Sequence, residues 1–354
     1  MSYKKRVRRV TPYVPGEQPA QKNIIKLNTN ENPYPPSPAV ERVLRDYDGL
    51  YGSLRRYPDP ACDELREAIH KAYGFSKDRI FVGVGSDDVL AMSFLTFFAS
   101  DDPILFPDIT YSFYDVWADL FNIPYETIPL RSDFTINVED YMRPCGGVVI
   151  ANPNAPTGID MGIAALEKII EAHSDCVVIV DEAYVDFGAE TALTLLDKYD
   201  NLLVVRTMSK SMSLAGSRIG YAFGSKEMIK YLNEVKYSYN SYTMDQITLK
   251  IGAAALSDPD YFDETVAKII ADRQRLKGEL KRLGFTVTDS STNFVFARPG
   301  DGRAKELFLE LRNRGIYVRY FDKPRIDEWL RITVGTKTEC ERLIEEIERI
   351  RAGK

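Results

Sequence analysis

The residues from Leu202 to Arg218 join an apolar run to a group of reactive side chains. Leu202, Leu203, Val204 and Val205 read as a buried strand. The chain then delivers Thr207, Ser209 and Lys210, with Arg218 eight residues beyond the lysine. In open α/β sheets ligands gather outside the carboxyl ends of strands, so a lysine there can meet a cofactor, while two hydroxyls and a guanidinium can hold a phosphate. Taken alone, the same residues also describe a surface loop with an ordinary lysine, because Ser-Lys pairs are common.

Other loops repeat the pattern of chemistry at a strand end. Cys176 to Val180 is the most clearly buried run, and it ends in Asp181-Glu182-Ala183-Tyr184. Gly147 to Ala151 opens into Asn152-Pro153-Asn154-Ala155-Pro156-Thr157-Gly158, a turn stiffened by proline. The strand Arg79 to Val84 precedes Gly85-Ser86-Asp87-Asp88 and a helix running to Phe98. There the first backbone N–H groups and the helix dipole suit a phosphate, but an ordinary cap by Ser86 or Asp87 uses the same geometry, and the two readings stand level. Pro103 to Phe106 leads to Tyr111, which either stacks on a planar ligand or packs.

One organic cofactor requires all of these groups together, and pyridoxal phosphate fits them. Lys210 meets its aldehyde. Asp181 keeps the ring nitrogen protonated through a charge-assisted bond of about 1.5–3 kcal/mol. Tyr184 and an asparagine of the 152–155 turn donate to its phenolic oxygen. Gly85, Ser86, Asp87, Thr207, Ser209 and Arg218 surround its phosphate. Each residue has a bland alternative, Asp181 as a strand-end cap for instance, but each also supplies a different requirement of one molecule.

Strands alternating with helices at βαβ spacing position these loops, so the fold class is α/β, a mostly parallel sheet covered on both faces. At 354 residues, the chain exceeds the roughly 250–300 residues of a single core, which calls for a large and a smaller domain. From Asp258 the texture changes to a charged helix, Tyr261 to Leu283, then strands Phe285 to Thr288 and Asn293 to Ala297, and a helix Ala304 to Arg314. Strands Tyr317 to Tyr320 and Leu330 to Val334 follow, and a helix Thr338 to Ile350 closes an α+β unit. That last helix sets Glu345 and Arg349 at i,i+4 spacing. Near the start a helix is expected from Pro38 to Tyr47, and His70 on a solvated helix face.

A formal charge of −6 argues against nucleic acid as the main partner, and Lys4, Lys5, Arg6, Arg8 and Arg9 read as a solvated basic arm. No apolar stretch approaches the roughly 18 residues of a membrane span, and Pro12 and Pro15 follow the basic start where a signal core would lie, so a cytoplasmic location is expected. Cys62, Cys145, Cys176 and Cys340 lack paired spacing and read as reduced thiols; with only His70 and His173 a metal centre is hard to assemble.

Lys210 with Ser209 and Arg218, Asp181-x-x-Tyr184 and Asn152-Pro153-x-x-Pro156-Thr157-Gly158 resemble the fold-type I, class II aminotransferases over nearly the whole chain. Pro12-Tyr13-x-Pro15-Gly16, Leu27-x-x-Asn30-Glu31-Asn32-Pro33-Tyr34 and Arg331-Ile332-Thr333-Val334-Gly335 resemble the histidinol-phosphate aminotransferases within them. The resemblance implies a seven-stranded sheet in a large cofactor-binding domain (47–257), an N-terminal arm with part of the small domain (1–46), and a C-terminal small domain (258–354). It implies a homodimer in which Tyr57 reaches the other subunit's cofactor phosphate, with Tyr239 and Asn240 near the boundary, Tyr111 stacked on the ring, and Tyr13, Asn30, Arg319 and Arg331 facing substrate. The activity implied is ping-pong transamination between histidinol phosphate and 2-oxoglutarate, Lys210 serving as general base. Aromatic amino-acid transamination and decarboxylation of phosphorylated amino acids are the alternatives on this scaffold. One departure stands out: the residue before Pro-Thr-Gly, an asparagine in many relatives, is Ala155. Asn154, or else Asn152, is expected to take over the phenolic oxygen.

Overall fold

The computed structural model describes residues 3–21 and 23–353. In chain order its strands are β1 (Ile25–Lys26), β2 (Ile80–Gly83), β3 (Ile104–Pro107), β4 (Tyr125–Ile128), β5 (Gly147–Ala151), β6 (Val178–Asp181), β7 (Leu202–Thr207) and β8 (Gly220–Phe223), then β9 (Thr286–Val287), β10 (Phe294–Arg298), β11 (Ile316–Tyr317), β12 (Arg319–Tyr320) and β13 (Leu330–Thr333). A seven-stranded sheet runs in the order β2-β8-β7-β6-β5-β3-β4. From β7 to β4 its neighbours are parallel, and β8 is antiparallel to both β2 and β7.

The two-residue period of a strand sorts the aliphatic runs into two cores. Ile150, Val180 and Val204 face one side with Leu166, Ile169 and Leu249 of the helices Ile163–Ala172 and Gln246–Leu256. Val149, Ile179 and Val205 face the other, against Phe94 of the helix Ser86–Phe97, Trp117 of Tyr114–Phe121 and Leu232 of Lys226–Tyr239. Full burial of such a side chain contributes about 1.5–3 kcal/mol. That fixes the strand register and, with it, where the loops after β5, β6 and β7 emerge.

The second sheet is antiparallel, in the order β12-β13-β10-β9. Val295, Ala297, Leu330 and Ile332 pack on Ile269 and Leu276 of the helix Pro259–Arg282 and on Leu343 and Ile347 of the helix Lys337–Arg351. Leu27 joins this core, and β1 pairs in parallel with β11, Ile25 opposite Ile316. The N-terminal segment is therefore stitched to the C-terminal unit.

Several local expectations need correction. β4 gives no sequence signal because it is an edge strand whose first three residues are exposed. The expected strand Tyr317 to Tyr320 is two strands, since β11 pairs with β1 and β12 with β13. The helix expected to reach Tyr47 ends at Arg45, and a separate short helix spans Tyr47–Tyr51. His70 is half-buried, with Nδ1 at 2.8 Å from the Phe75 carbonyl oxygen. Glu345 and Arg349 do not pair. Arg349 turns to Glu346 at 2.7 Å and Glu345 takes Arg342 at 3.2 Å, because Glu346 is buried and draws the surrounding arginines. No helix among the described residues is long and apolar enough to cross a membrane.

Candidate active site

A cavity of about 380 Å³ opens at the carboxyl ends of β5, β6 and β7, and Lys210, Asp181, Tyr184, Ser86, Tyr111 and Arg218 all line it. Every residue of β7 is buried, so the strand hands a rigid end to the loop that carries the lysine. The turn is held by Thr207, whose Oγ1 accepts from the Ser209 N–H at 3.1 Å and donates to Ser209 Oγ at 3.0 Å. Lys210 Nζ donates to the Thr29 carbonyl at 3.3 Å and lies 5.7 Å from the centre of the Tyr184 ring.

Asp181 is the last residue of β6 and is 5% exposed. Its carboxylate accepts from the Tyr114 hydroxyl at 2.9 Å and from the Ala183 N–H at 3.1 Å, and among the described residues no cation pairs with it. Burial pushes its pKa up to about 6; those two hydrogen bonds pull it down, and the charges of Asp87 and Glu182 push it further up. A cation delivered into the cavity would relieve this buried charge.

Tyr184 accepts from Asn30 Nδ2 at 2.8 Å and meets Phe294 edge-on at 5.1 Å. Asn30 sits at φ 59°, its N–H donating to Thr333 Oγ1 at 3.0 Å and its carbonyl accepting from Asn293 Nδ2 at 2.9 Å. It thereby ties the strand-end tyrosine to the second sheet.

The helix Ser86–Phe97 begins at Gly85, φ 83°, and its first N–H groups have no carbonyl of their own helix to bond. A Cβ on Gly85 would stand 2.6 Å from Arg218 Nη2, and one on Gly220 would stand 2.2 Å from the Gly85 carbonyl carbon. Close approach of β8 therefore sets this end of the cavity. Asp87 has a carboxylate at this end as well as a backbone N–H. Its carboxylate accepts from Tyr111 at 2.7 Å and pairs with Arg218 at 3.2 Å, so it repels a phosphate and offers only its backbone N–H. Burial first, then Asp87, keeps the Tyr111 hydroxyl protonated.

Two arginines stand on the second sheet outside the residues that line the cavity, Arg331 within electrostatic reach of Tyr184, Tyr13 and Tyr111. Arg331 Nη2 donates to the Asn28 carbonyl at 3.1 Å, and its guanidinium lies over Phe294 and Phe321 at 5.3 and 5.6 Å. Its Nε is buried without a partner, and burial holds its pKa below the usual value. Arg319 donates to the Val14 carbonyl at 3.4 Å and lies 5.3 Å from the Phe321 ring. Neither has a carboxylate partner among the described residues. Tyr13 stacks on Phe113 with centroids 4.1 Å apart, which lays the N-terminal arm beside Tyr111 and the arginines.

The family model of class I and II aminotransferases matches residues 22–347. The chain belongs to that family. It is 49% identical over 345 residues to the histidinol-phosphate aminotransferase of Lactococcus lactis subsp. cremoris, covering 98% of this chain and 96% of that protein. To histidinol-phosphate aminotransferase 2 of Dechloromonas aromatica it is 50% identical over 346 residues, 97% of each chain. A crystal structure of histidinol-phosphate aminotransferase from Sinorhizobium meliloti, in complex with pyridoxal-5'-phosphate, superposes with a TM-score of 0.84 at 25% identity, covering 93% of this chain and 92% of that one. The Clostridium acetobutylicum enzyme shares the fold at the same TM-score and 21% identity, covering 94% of this chain and 100% of that one.

The aminotransferase therefore exchanges an amino group between a donor and a keto acid, and its fold is the expected one. The two amides expected to stand in for the missing asparagine are both engaged within the turn, however. Asn154 Nδ2 donates to the Ile109 carbonyl at 2.9 Å and to Thr157 Oγ1 at 3.0 Å, while its Oδ1 accepts from Thr110 at 2.8 Å. Asn152 is likewise occupied by Asp160 and the Met161 N–H, at 2.8 and 2.9 Å. Both amides brace the turn, and among the described residues this segment lines the cavity with Ala151, Pro153 and Ala155. Tyr57 lies outside this chain's cavity, 80% exposed and stacked on Tyr242 at 4.7 Å. Tyr114 was not singled out in the sequence. A tyrosine inside an apolar helix carries no local mark of the carboxylate it will meet.

Proposed function

We propose that this aminotransferase holds pyridoxal phosphate at Lys210 and transfers the amino group of L-histidinol phosphate to 2-oxoglutarate, giving imidazole-acetol phosphate and L-glutamate, as a cytoplasmic homodimer in histidine biosynthesis. Asp181 supports the cofactor: it is a buried carboxylate short of a cation, in the same cavity as an amine and a helix N-terminus, which is what a protonated pyridine ring with a phosphate requires. When bound, the cofactor supplies an aldehyde that takes up the amino group and a protonated ring that accepts an electron pair.

The chain's own residues do the rest. Lys210 Nζ, once free, takes the proton from the substrate Cα and hands it on, a role that typically contributes about 10²–10⁴-fold. Asp181 holds the ring nitrogen's proton, and Tyr184, steadied by Asn30, donates to the phenolic oxygen. Tyr111 covers one ring face. Gly85, Ser86, the Asp87 N–H, Thr207, Ser209 and Arg218 receive the phosphate, joined by Tyr57 of the partner subunit, which exposure in the single chain leaves available.

The substrate reading is carried by Arg331, whose guanidinium lacks a carboxylate partner and whose Nε is buried unbonded. Leaving such a donor unmet costs about 1–3 kcal/mol, and a phosphate or carboxylate removes that cost. Arg319 and Tyr13 stand beside it. The relatives at 49–50% identity over nearly the full length bear the same substrate in their names. The domain division 1–46, 47–257 and 258–354 belongs to this reading, the β1–β11 pairing supporting the split N-terminal part. The test is to mix the yellow enzyme with single donors and assay glutamate formed from 2-oxoglutarate. Turnover with histidinol phosphate is expected; turnover with phenylalanine alone, or carbon dioxide release without a keto product, would overturn the assignment.

A further inference from the structure

Far from the cavity, at the amino ends of β5 and β6, the fold assembles a second reactive group. These strands are parallel neighbours, Val148 opposite Val178. Cys145 and Cys176 each stand two residues before the start of their strand, both half-buried, with their Sγ atoms 3.9 Å apart. The sequence read these cysteines as scattered; only strand pairing brings them together.

His173 completes the group. It is 2% exposed, its Nδ1 is 2.8 Å from the Ile169 carbonyl oxygen and its Nε2 is 3.2 Å from the Arg143 carbonyl oxygen. Both neighbours are acceptors, and only the doubly protonated ring donates to both. No carboxylate pairs with this imidazolium among the described residues. The Cys145 sulfur is the acidic group beside it: hydrogen bonding with Cys176 first, then with His173, draws the Cys145 thiol below its ordinary pKa, and Cys145 in turn raises His173 to about 9. Cys176 moves upward, through its bond to Cys145, burial and the charge of Asp175. Among the described residues no group of three or more His, Cys, Asp or Glu side chains is arranged for a metal ion.

We propose that Cys145 and Cys176 form a peroxide-sensitive thiol pair, Cys145 reacting first and Cys176 closing an intrachain disulfide. The Cys145 thiolate attacks one oxygen of hydrogen peroxide. An S–O bond forms, the O–O bond breaks and hydroxide leaves, giving a sulfenic acid. The Cys176 sulfur displaces that hydroxyl group: an S–S bond forms, the S–O bond breaks and water departs with the Cys176 proton. The two sulfurs lose two electrons in all, which the peroxide gains. Closing the gap to the about 2.05 Å of a disulfide asks for side-chain rotation at two loop positions. Cys62 and Cys340 serve as internal controls, since both are buried and burial pushes both thiols up, Cys340 to about 11.

The test treats cofactor-loaded enzyme with hydrogen peroxide, alkylates the remaining thiols, digests, and reads the peptides by mass spectrometry. A peptide pair joined through Cys145 and Cys176, lighter by two hydrogens, is expected while Cys62 and Cys340 stay alkylated. In Cys176→Ser, dimedone should trap a sulfenic acid at Cys145. In His173→Gln, linking should slow by about tenfold or more, because the thiol loses its imidazolium. Cys145 and Cys176 remaining fully alkylatable after peroxide, oxidation of Cys62 or Cys340 at the same rate, or an unchanged rate in His173→Gln would each overturn the proposal.

Discussion

Asp181 and Glu182 are adjacent in sequence, both buried, and opposite in kind. Glu182 is answered on every side: Arg206 Nη2 is 2.9 Å away, and Thr191 Oγ1 and the Ala192 N–H donate at 2.8 and 2.5 Å. Arg206 also meets Asp186 at 3.3 Å and lies over the Tyr73 ring at 5.2 Å. That cluster closes on itself and holds the loop after β6 against β7. Asp181 faces the cavity instead, and its two donors are neutral. Burying a carboxylate costs unless a cation answers it, so the unanswered one marks where a cationic ligand belongs. The difference teaches that buried charge alone does not locate a site; buried charge lacking a partner does.

Substitutions on the two sides of this pair should therefore move different observables. The largest effect on activity is expected from Lys210→Ala, which should lower kcat by more than the about 10²–10⁴-fold of a general base, while thermal unfolding of the cofactor-free protein barely moves. Arg206→Met should do the reverse, costing about 3–5 kcal/mol in denaturant unfolding because Glu182 and Asp186 lose their cation. Wild-type stability in that variant would erase the contrast. Asp181 makes a claim about pH. Its folded pKa of about 6 lies above the ordinary 3.8, so the folded state binds the proton more tightly than the unfolded one. The contribution of Asp181 to the stability of the cofactor-free enzyme should therefore rise as pH falls through 6 toward 4, by about 3 kcal/mol in all, read as the difference between wild type and Asp181→Asn. Asp181→Asn should flatten that slope and stabilise the cofactor-free protein at pH 7 while lowering kcat; an unchanged pH profile would place the carboxylate in water after all. The smallest effect is expected from Arg331→Lys, raising KM for the phosphorylated donor about tenfold to a hundredfold, from the about 1.5–3 kcal/mol of a bond to a charged group, with unfolding unchanged.

Legibility in the sequence followed the range of the interactions. β5, β6 and β7 are short aliphatic runs with loops directly behind them, so Lys210, Asp181 and the Gly85 turn were visible from residues a few positions apart. β4, an exposed edge, was not, and neither was the division of Tyr317 to Tyr320 between two partners. Tyr13, Asn30, Arg319 and Arg331 came only from resemblance, since their contacts are made with distant parts of the chain: Asn30 meets Tyr184 across 154 positions and Thr333 across 303, and Arg319 meets Val14 across 305.

The sequence by itself determined the architecture and the reactive groups at the strand ends, because hydrophobic period and loop composition are local properties. Only the tertiary structure decided which of those groups are spoken for. It turned Asn152 and Asn154 into turn braces and Asp87 into a partner for Tyr111 and Arg218, left Asp181 without a cation among the described residues, and brought Cys145 to within 3.9 Å of Cys176. A hydrogen bond or an ion pair is a choice among competitors, and the competitors are assembled only when distant segments pack.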